Sequence, residues 1–153
     1  GYQYCFAIAT DMGCVTEEIR TSLCGAREVI LESNHDENML MMGPYPYDLK
    51  RRILSDHGHL SNTCAAEFLC ELTDGGARHI LLAHLSPENN TPELAYLTAQ
   101  AALRRRGLIQ DEDYTLAVAR RDTPVILHEI LDSEEDRPIP KSEEECGCNE
   151  DSV

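Results

Sequence analysis

The chain has 153 residues, with 28 acids against 13 bases and a net charge of −15 at neutral pH. That length suits one domain around one core, no apolar run approaches the roughly 18 residues of a membrane span, and no basic-then-apolar signal peptide opens the sequence. Such acidity does not advertise a phosphate-backbone partner, except at two local basic clusters, Lys50-Arg51-Arg52 and Arg104-Arg105-Arg106; solvated helix faces account for either cluster taken alone.

In chain order, Tyr2 to Ala9 reads as a strand ending in Thr10-Asp11. Because the sequence opens inside an element, the expectation is that upstream sequence is missing. Thr16 has the chemistry of an N-cap, with Glu17 and Glu18 in the first turn and Gly25 as the stop. Val29 to Leu31 is a short buried strand running into Glu32-Ser33-Asn34-His35-Asp36. The rigid loop "GPYPYD" follows, and Asp48 is placed to cap a helix reaching about Leu54. Ser61 or Asn62 caps the next helix, with Cys64, Ala65, Phe68, Leu69 and Leu72 as its inward stripe and Gly75-Gly76 as its end. His79 to Ala83 is too short and too apolar for a surface helix and reads as a strand. Thr91 caps a helix with Pro92 at its first position, Leu94, Ala95, Leu97, Ala101 and Ala102 as its apolar face, and Gly107 as terminator. Tyr114 to Ala119 and Val125 to Ile130 complete the strands. Alternating strands and helices predict an α/β class with a largely parallel sheet.

Residues 129–153 hold ten of the acids and two bases. The domain is therefore expected to span residues 1–131, with 132–153 an acidic tail lacking the apolar content to fold. Of the seven cysteines, Cys5, Cys14, Cys24, Cys64 and Cys70 show no disulfide or zinc-finger spacing and read as buried, reduced thiols of a cytoplasmic protein. The C-x-C at Cys146 and Cys148 has no partner pair nearby.

Three apolar strands end in ionisable or polar groups: Asp11 after the first, Glu32, Asn34 and His35 after the second, His84 after the third. In an open α/β sheet ligands gather beyond the carboxyl ends of the strands, so Asp11, His35 and His84 share one rim, joined by His59 just before a helix start. A carboxylate and imidazoles converging there suit a divalent metal such as zinc, iron or manganese. Taken singly, each residue has a plainer explanation: turn chemistry for Asp11, a structural hydrogen bond for His84, a helix end for His35. His57-Gly58-His59 has the form of an H-x-H metal motif, but a helix cap follows it instead of further ligands. His79 and His128 fall within strands and read as structural or surface groups.

The strings "TDMG", "LESNHD", "GPYPYDLKRRILSDHGHLSN" and "LLAHLSPENNTPE" resemble the C-terminal half of metallo-β-lactamase-fold hydrolases, in particular the YycJ/WalJ group of bacterial exonucleases, over about residues 3–120. The resemblance implies an αββα sandwich whose N-terminal half, with the family's H-x-H-x-D-H motif, is missing here. It implies two divalent metal ions, with Asp11 as the bridging carboxylate and His84 as the last ligand histidine; the ligand set in this chain is then incomplete, since catalytic zinc keeps three protein ligands plus water. It makes His59 the candidate proton donor to the leaving oxygen. Asn34 and His35 fall at the substrate rim, and Lys50 and Arg51 are candidates to steer a nucleic-acid backbone. "VARRD" departs from the family, which tends to carry a proline before the arginine. The implied activity of the complete protein is metal-dependent phosphodiester hydrolysis, with DNA favoured as substrate and the fragment inactive alone. The alternatives are another hydrolysis on the same fold (thioester, lactone or cyclic phosphodiester) or a catalytically silent binding module. Oligomeric state is not legible.

Overall fold

The computed structural model describes residues 5–125. They form four strands, β1 (Phe6–Ala9), β2 (Glu28–Glu32), β3 (His79–Ala83) and β4 (Thr115–Val118). The helices are α1 (Glu17–Leu23), α2 (Glu37–Met42), α3 (Tyr47–Ile53), α4 (Asn62–Asp74) and α5 (Pro92–Arg105). The strands pair in the order β1-β2-β3-β4, all parallel. Parallel neighbours cannot be joined by a tight turn, so a helical crossover separates each pair.

Cross-strand register sorts the side chains onto two faces. Ala7, Val29, Ile80 and Leu116 form one row, and Ala9, Leu31, Leu82 and Val118 a second on the same face. These residues join Leu23 of α1, Phe68, Leu69 and Leu72 of α4, and Ala95, Ala99 and Leu103 of α5 in a single core cluster. By the two-residue period of a strand, Phe6, Ile8, Ile30 and Leu81 point the other way, and none belongs to that cluster. At β1 this second face leaves Phe6 and Ile8 exposed. The described chain thus covers one face of its sheet with helices and leaves the other bearing apolar side chains.

The helix starts follow their caps. Thr16, Ser61 and Thr91 each accept a bond from the backbone N–H three residues on. Two expectations need correction, and one element, α2, has no counterpart in the sequence reading: Asp36 accepts from Met39 N and starts it, with Leu40 its only buried side chain. Asp48 does not cap α3; Pro46 occupies that position without a side-chain bond, and Asp48 lies in the first turn. The inward faces are rotated: Cys64 is exposed, while α5 buries Ala95, Ala99, Ala102 and Leu103 and leaves Leu97 57% exposed. Small alanines at that spacing let α5 approach the sheet and α4 closely, and they outweigh the larger Leu97 in setting which side is in. Cys5, Cys14, Cys64 and Cys70 are free thiols, and none of the five described cysteines is buried, against the expectation of buried thiols. The final predicted strand beyond Val125, the acidic tail and the C-x-C lie outside the described residues. No helix among the described residues is long and apolar enough to cross a membrane.

The rotation of α5 is testable. Leu103→Ala is expected to lower unfolding free energy by about 2–5 kcal/mol, whereas Leu97→Ser should stay within about 0.5 kcal/mol of the parent, both read from urea midpoints.

Candidate functional site

Asp11 and His84 each follow the last residue or two of a strand, and both adopt left-handed backbone, φ 60° and 59°. Non-glycine residues rarely do so, and the conformation costs roughly 1–3 kcal/mol. The turn reverses the chain at the carboxyl end of the sheet and brings both side chains to one place. His59 arrives by a different route. Gly58 precedes it in a turn so tight that a Cβ there would lie 2.0 Å from the Ile53 carbonyl oxygen, and His59 N donates to the same carbonyl (3.0 Å).

The three side chains converge. The Nδ1 atoms of His59 and His84 lie 4.0 and 3.8 Å from Asp11 Oδ1, and one ligand atom from each residue falls within 4.8 Å of the others. The rings meet edge to face with centroids 5.2 Å apart. Asp11 is open to solvent, and each imidazole is partly exposed.

Behind them stands Glu32, 0% exposed at the end of β2. Its Oε1 accepts from His59 Nδ1 (2.8 Å) and His84 Nδ1 (2.7 Å). Its Oε2 accepts from Met12 N (2.7 Å) and Leu60 N (3.4 Å). A carboxylate is an acceptor only, so four donors suit it. With Nδ1–H facing Glu32, each ring carries its lone pair on Nε2, the arrangement that buried carboxylates impose on ligand and acid–base histidines. The proximity of the Nδ1 atoms to Asp11 does not make them ligand atoms, since both are already committed to Glu32. Sequence reasoning named Glu32 only as a strand end. The signal was there, a glutamate directly continuing the apolar run Val29-Ile30-Leu31, but nothing in the spacing shows that both histidines return to it.

The remaining expected residues fall around this cluster. Asn34 is buried and its Nδ2 donates to the His84 carbonyl (2.8 Å), which fixes the strained turn. His35 is 1% exposed and neither ring nitrogen has a hydrogen-bond partner among the described residues. Burial holds its pKa below the ordinary histidine value, opposed by the nearby negative charge of Glu37. Lys50 Nζ donates to the Met41 and Gly43 carbonyls, 2.7 Å each. Arg51 lies over the Tyr47 ring at 5.9 Å.

A parallel sheet carrying carboxylate-braced imidazoles at its carboxyl rim brings together groups able to transfer protons or ligate a metal. Comparison with known proteins specifies the group. Exodeoxyribonuclease YycJ of Bacillus anthracis is 44% identical over 101 residues, 66% of this chain and 38% of that protein. Exodeoxyribonuclease WalJ of Streptococcus pneumoniae is 38% identical over 125 residues, 82% of this chain and 46% of that protein. The chain is a relative of the YycJ/WalJ group over most of its own length, and it spans less than half the length of these curated relatives. No protein-family profile and no solved structure matches it.

Two outcomes check this geometry. Glu32→Gln turns an amide N–H toward either an imidazole N–H or a backbone N–H, so stability should fall by about 1–3 kcal/mol, read from urea unfolding at neutral pH. For His35, the folded state binds its proton less readily than the unfolded chain. Its contribution is therefore complete above the ordinary histidine pKa of about 6.5 and is lost as pH falls through the lower folded value. Urea midpoints should drop on acidification through that range, and His35→Gln should flatten the slope.

Proposed function

We propose that this chain carries the C-terminal half of a metallo-β-lactamase αββα sandwich, and that the complete protein is a metal-dependent phosphodiesterase acting exonucleolytically on DNA. The observation that carries this reading is the single buried carboxylate, Glu32, holding two imidazoles beside an exposed aspartate at the carboxyl rim of a parallel sheet. The identity with relatives named exodeoxyribonucleases supplies the reaction.

The donor set suits a divalent ion. One carboxylate and two imidazoles, with both Nε2 atoms free of described hydrogen-bond partners, fit zinc, manganese or iron. Of these, Asp11 and His84 would hold the ions, with His59 kept for proton transfer. Two ligands are fewer than a catalytic site needs, so the rest would come from the other half of the sandwich. The apolar sheet face bearing Phe6, Ile8, Ile30 and Leu81 is a seat for a second sheet at about 10 Å. When bound, divalent ions supply Lewis-acid charge to the phosphodiester and acidify water at the site.

The chain's own residues do the rest. His59, turned by Glu32, presents Nε2 to the leaving oxygen; once Nε2 has taken a proton from solvent, the imidazolium delivers it there and returns to the neutral Nδ1–H form. Glu32 is a positioning residue that stabilises the charged imidazole. Asn34 and His35 back the strand end that faces substrate, and the cations of α3 meet its backbone. The cytoplasm suits the free thiols of Cys5, Cys14, Cys64 and Cys70.

In the complete protein, His84→Ala is expected to lose bound metal and nuclease activity together, by elemental analysis and single-turnover cleavage of labelled DNA. His59→Ala should slow cleavage by about 10²–10⁴-fold with metal content intact; coincident metal loss would make His59 a ligand instead. The present chain alone should bind zinc or manganese weakly by calorimetry, and tight stoichiometric binding would count against an incomplete ligand set.

A further inference from the structure

Residues 41 to 57, covering the end of α2, the proline loop, α3 and the turn after it, contain no buried residue. Five exposed large apolar side chains lie here: Met41, Met42 (88% exposed), Tyr47, Leu49 and Leu54. Helix α3 buries nothing, and seven residues do not make a stable helix by themselves in water. The arm is held instead through its backbone. Lys50 Nζ ties α3 to the carboxyl end of α2. A Cβ on Gly13 would lie 2.3 Å from the Ser55 carbonyl oxygen, and one on Gly58 would lie 2.4 Å from the Arg52 carbonyl oxygen. Those two close approaches seat the arm against the loop of Asp11 and the turn into His59, while its side chains stay in solvent.

Four charged side chains sit on α3: Asp48, Lys50, Arg51 and Arg52. Two are engaged within the chain. Lys50 is spent on the Met41 and Gly43 carbonyls, and the Arg51 guanidinium lies over the Tyr47 ring at 5.9 Å. The other two, Asp48 and Arg52, form no ion pair among the described residues, whereas Arg20, Arg106 and Arg120 each reach a carboxylate. Four residues apart, Asp48 and Arg52 share one side of the helix. A helix that carries one unpaired charge of each sign at that spacing is complementary to itself turned end for end. Set antiparallel across a two-fold axis beside Lys50, Asp48 of each copy meets Arg52 of the other.

We propose that the α2–α3 arm is the docking surface for a second copy of this chain, with Met41, Met42, Leu49 and Leu54 of both copies closing around two reciprocal Asp48–Arg52 pairs. The apolar side chains leave water and supply most of the affinity. The ion pairs fix register and orientation. Charge favours a second copy over other occupants: a polyanion would be opposed by Asp48, and a partner of single sign would leave one of the two charges unmatched. The proposal goes beyond the reaction assigned to the rim and does not depend on it. Its consequence there is mechanical, because a dimer braces from outside the two segments that carry Asp11 and His59.

The test is sedimentation equilibrium of the full chain over a range of concentrations, where a concentration-dependent dimer is expected. Asp48→Arg sets like charges together and should raise the dissociation constant at least about tenfold, as should Arg52→Asp. Mixing those two variants puts opposite charges back at both contacts, so a heterodimer of near-parental affinity is expected where neither variant dimerises alone. Met42→Ser removes apolar surface without touching charge and should weaken the dimer about tenfold. All three side chains are exposed, so urea midpoints taken at concentrations that dissociate the dimer should match the parent's. A monomer at every concentration, a dimer indifferent to Asp48→Arg or to Met42→Ser, or a mixture that stays monomeric would each overturn the proposal. The complete protein is run alongside and is expected to dimerise too; a monomer there means that its other half covers the arm, which overturns the proposal as well.

Discussion

A buried negative charge organises this molecule. Glu32 ends a central strand with no solvent contact, where an unpaired carboxylate would cost several kcal/mol. The structure satisfies it from three chain segments: the loop after β1 through Met12, the entry to α4 through His59 and Leu60, and the loop after β3 through His84. None of those segments can drift without leaving the carboxylate short of donors. The geometry of the rim is thus enforced by the penalty for an unsatisfied charge rather than by apolar packing, which lies on the helical side of the sheet.

A second, neutral network fixes the same strand end from the side. Ser33 Oγ donates to Asn62 Oδ1 (2.6 Å), and Asn90 Nδ2 reaches the Ser33 and Asn34 carbonyls (2.8 and 3.1 Å). Asn62 opens α4 and Asn90 precedes α5, so β2 and the starts of both core helices meet in one buried cluster. Buried amides of this kind rigidify when fully bonded. Together with the Asn34 bond to the His84 carbonyl, they locate the imidazoles relative to the helices as well as to each other.

Much of this was legible in the sequence because it depends on local chemistry. Caps at Thr16, Ser61 and Thr91, the apolar run from Ile80 to Ala83, and polar groups directly after strands are short-range signals. From them came the parallel α/β class and the convergence of Asp11, His59 and His84 on one rim. What escaped depends on distance or on fine phase. Glu32 is separated from His84 by 52 residues, and no spacing rule connects them. The rotation of α5 turned on Ala99, whose contribution is close approach rather than bulk. Helix α2 has one buried side chain, too little for a hydrophobic period to register. The basic cluster at α3 was visible, yet sequence could not separate Lys50, spent on two carbonyls, from Arg51 and Arg52, which are free of carboxylates.

The left-handed backbone at Asp11 and His84 has an evolutionary corollary. Glycine is the residue most at ease at such φ values, and it would relieve strain at both positions. Selection acting on thermal endurance alone would therefore erode this rim, exchanging its two most chemically capable side chains for hydrogen atoms. Aspartate and histidine at positions where glycine would be unstrained place this corner of the chain on the reactive side of the trade between robustness and reactivity.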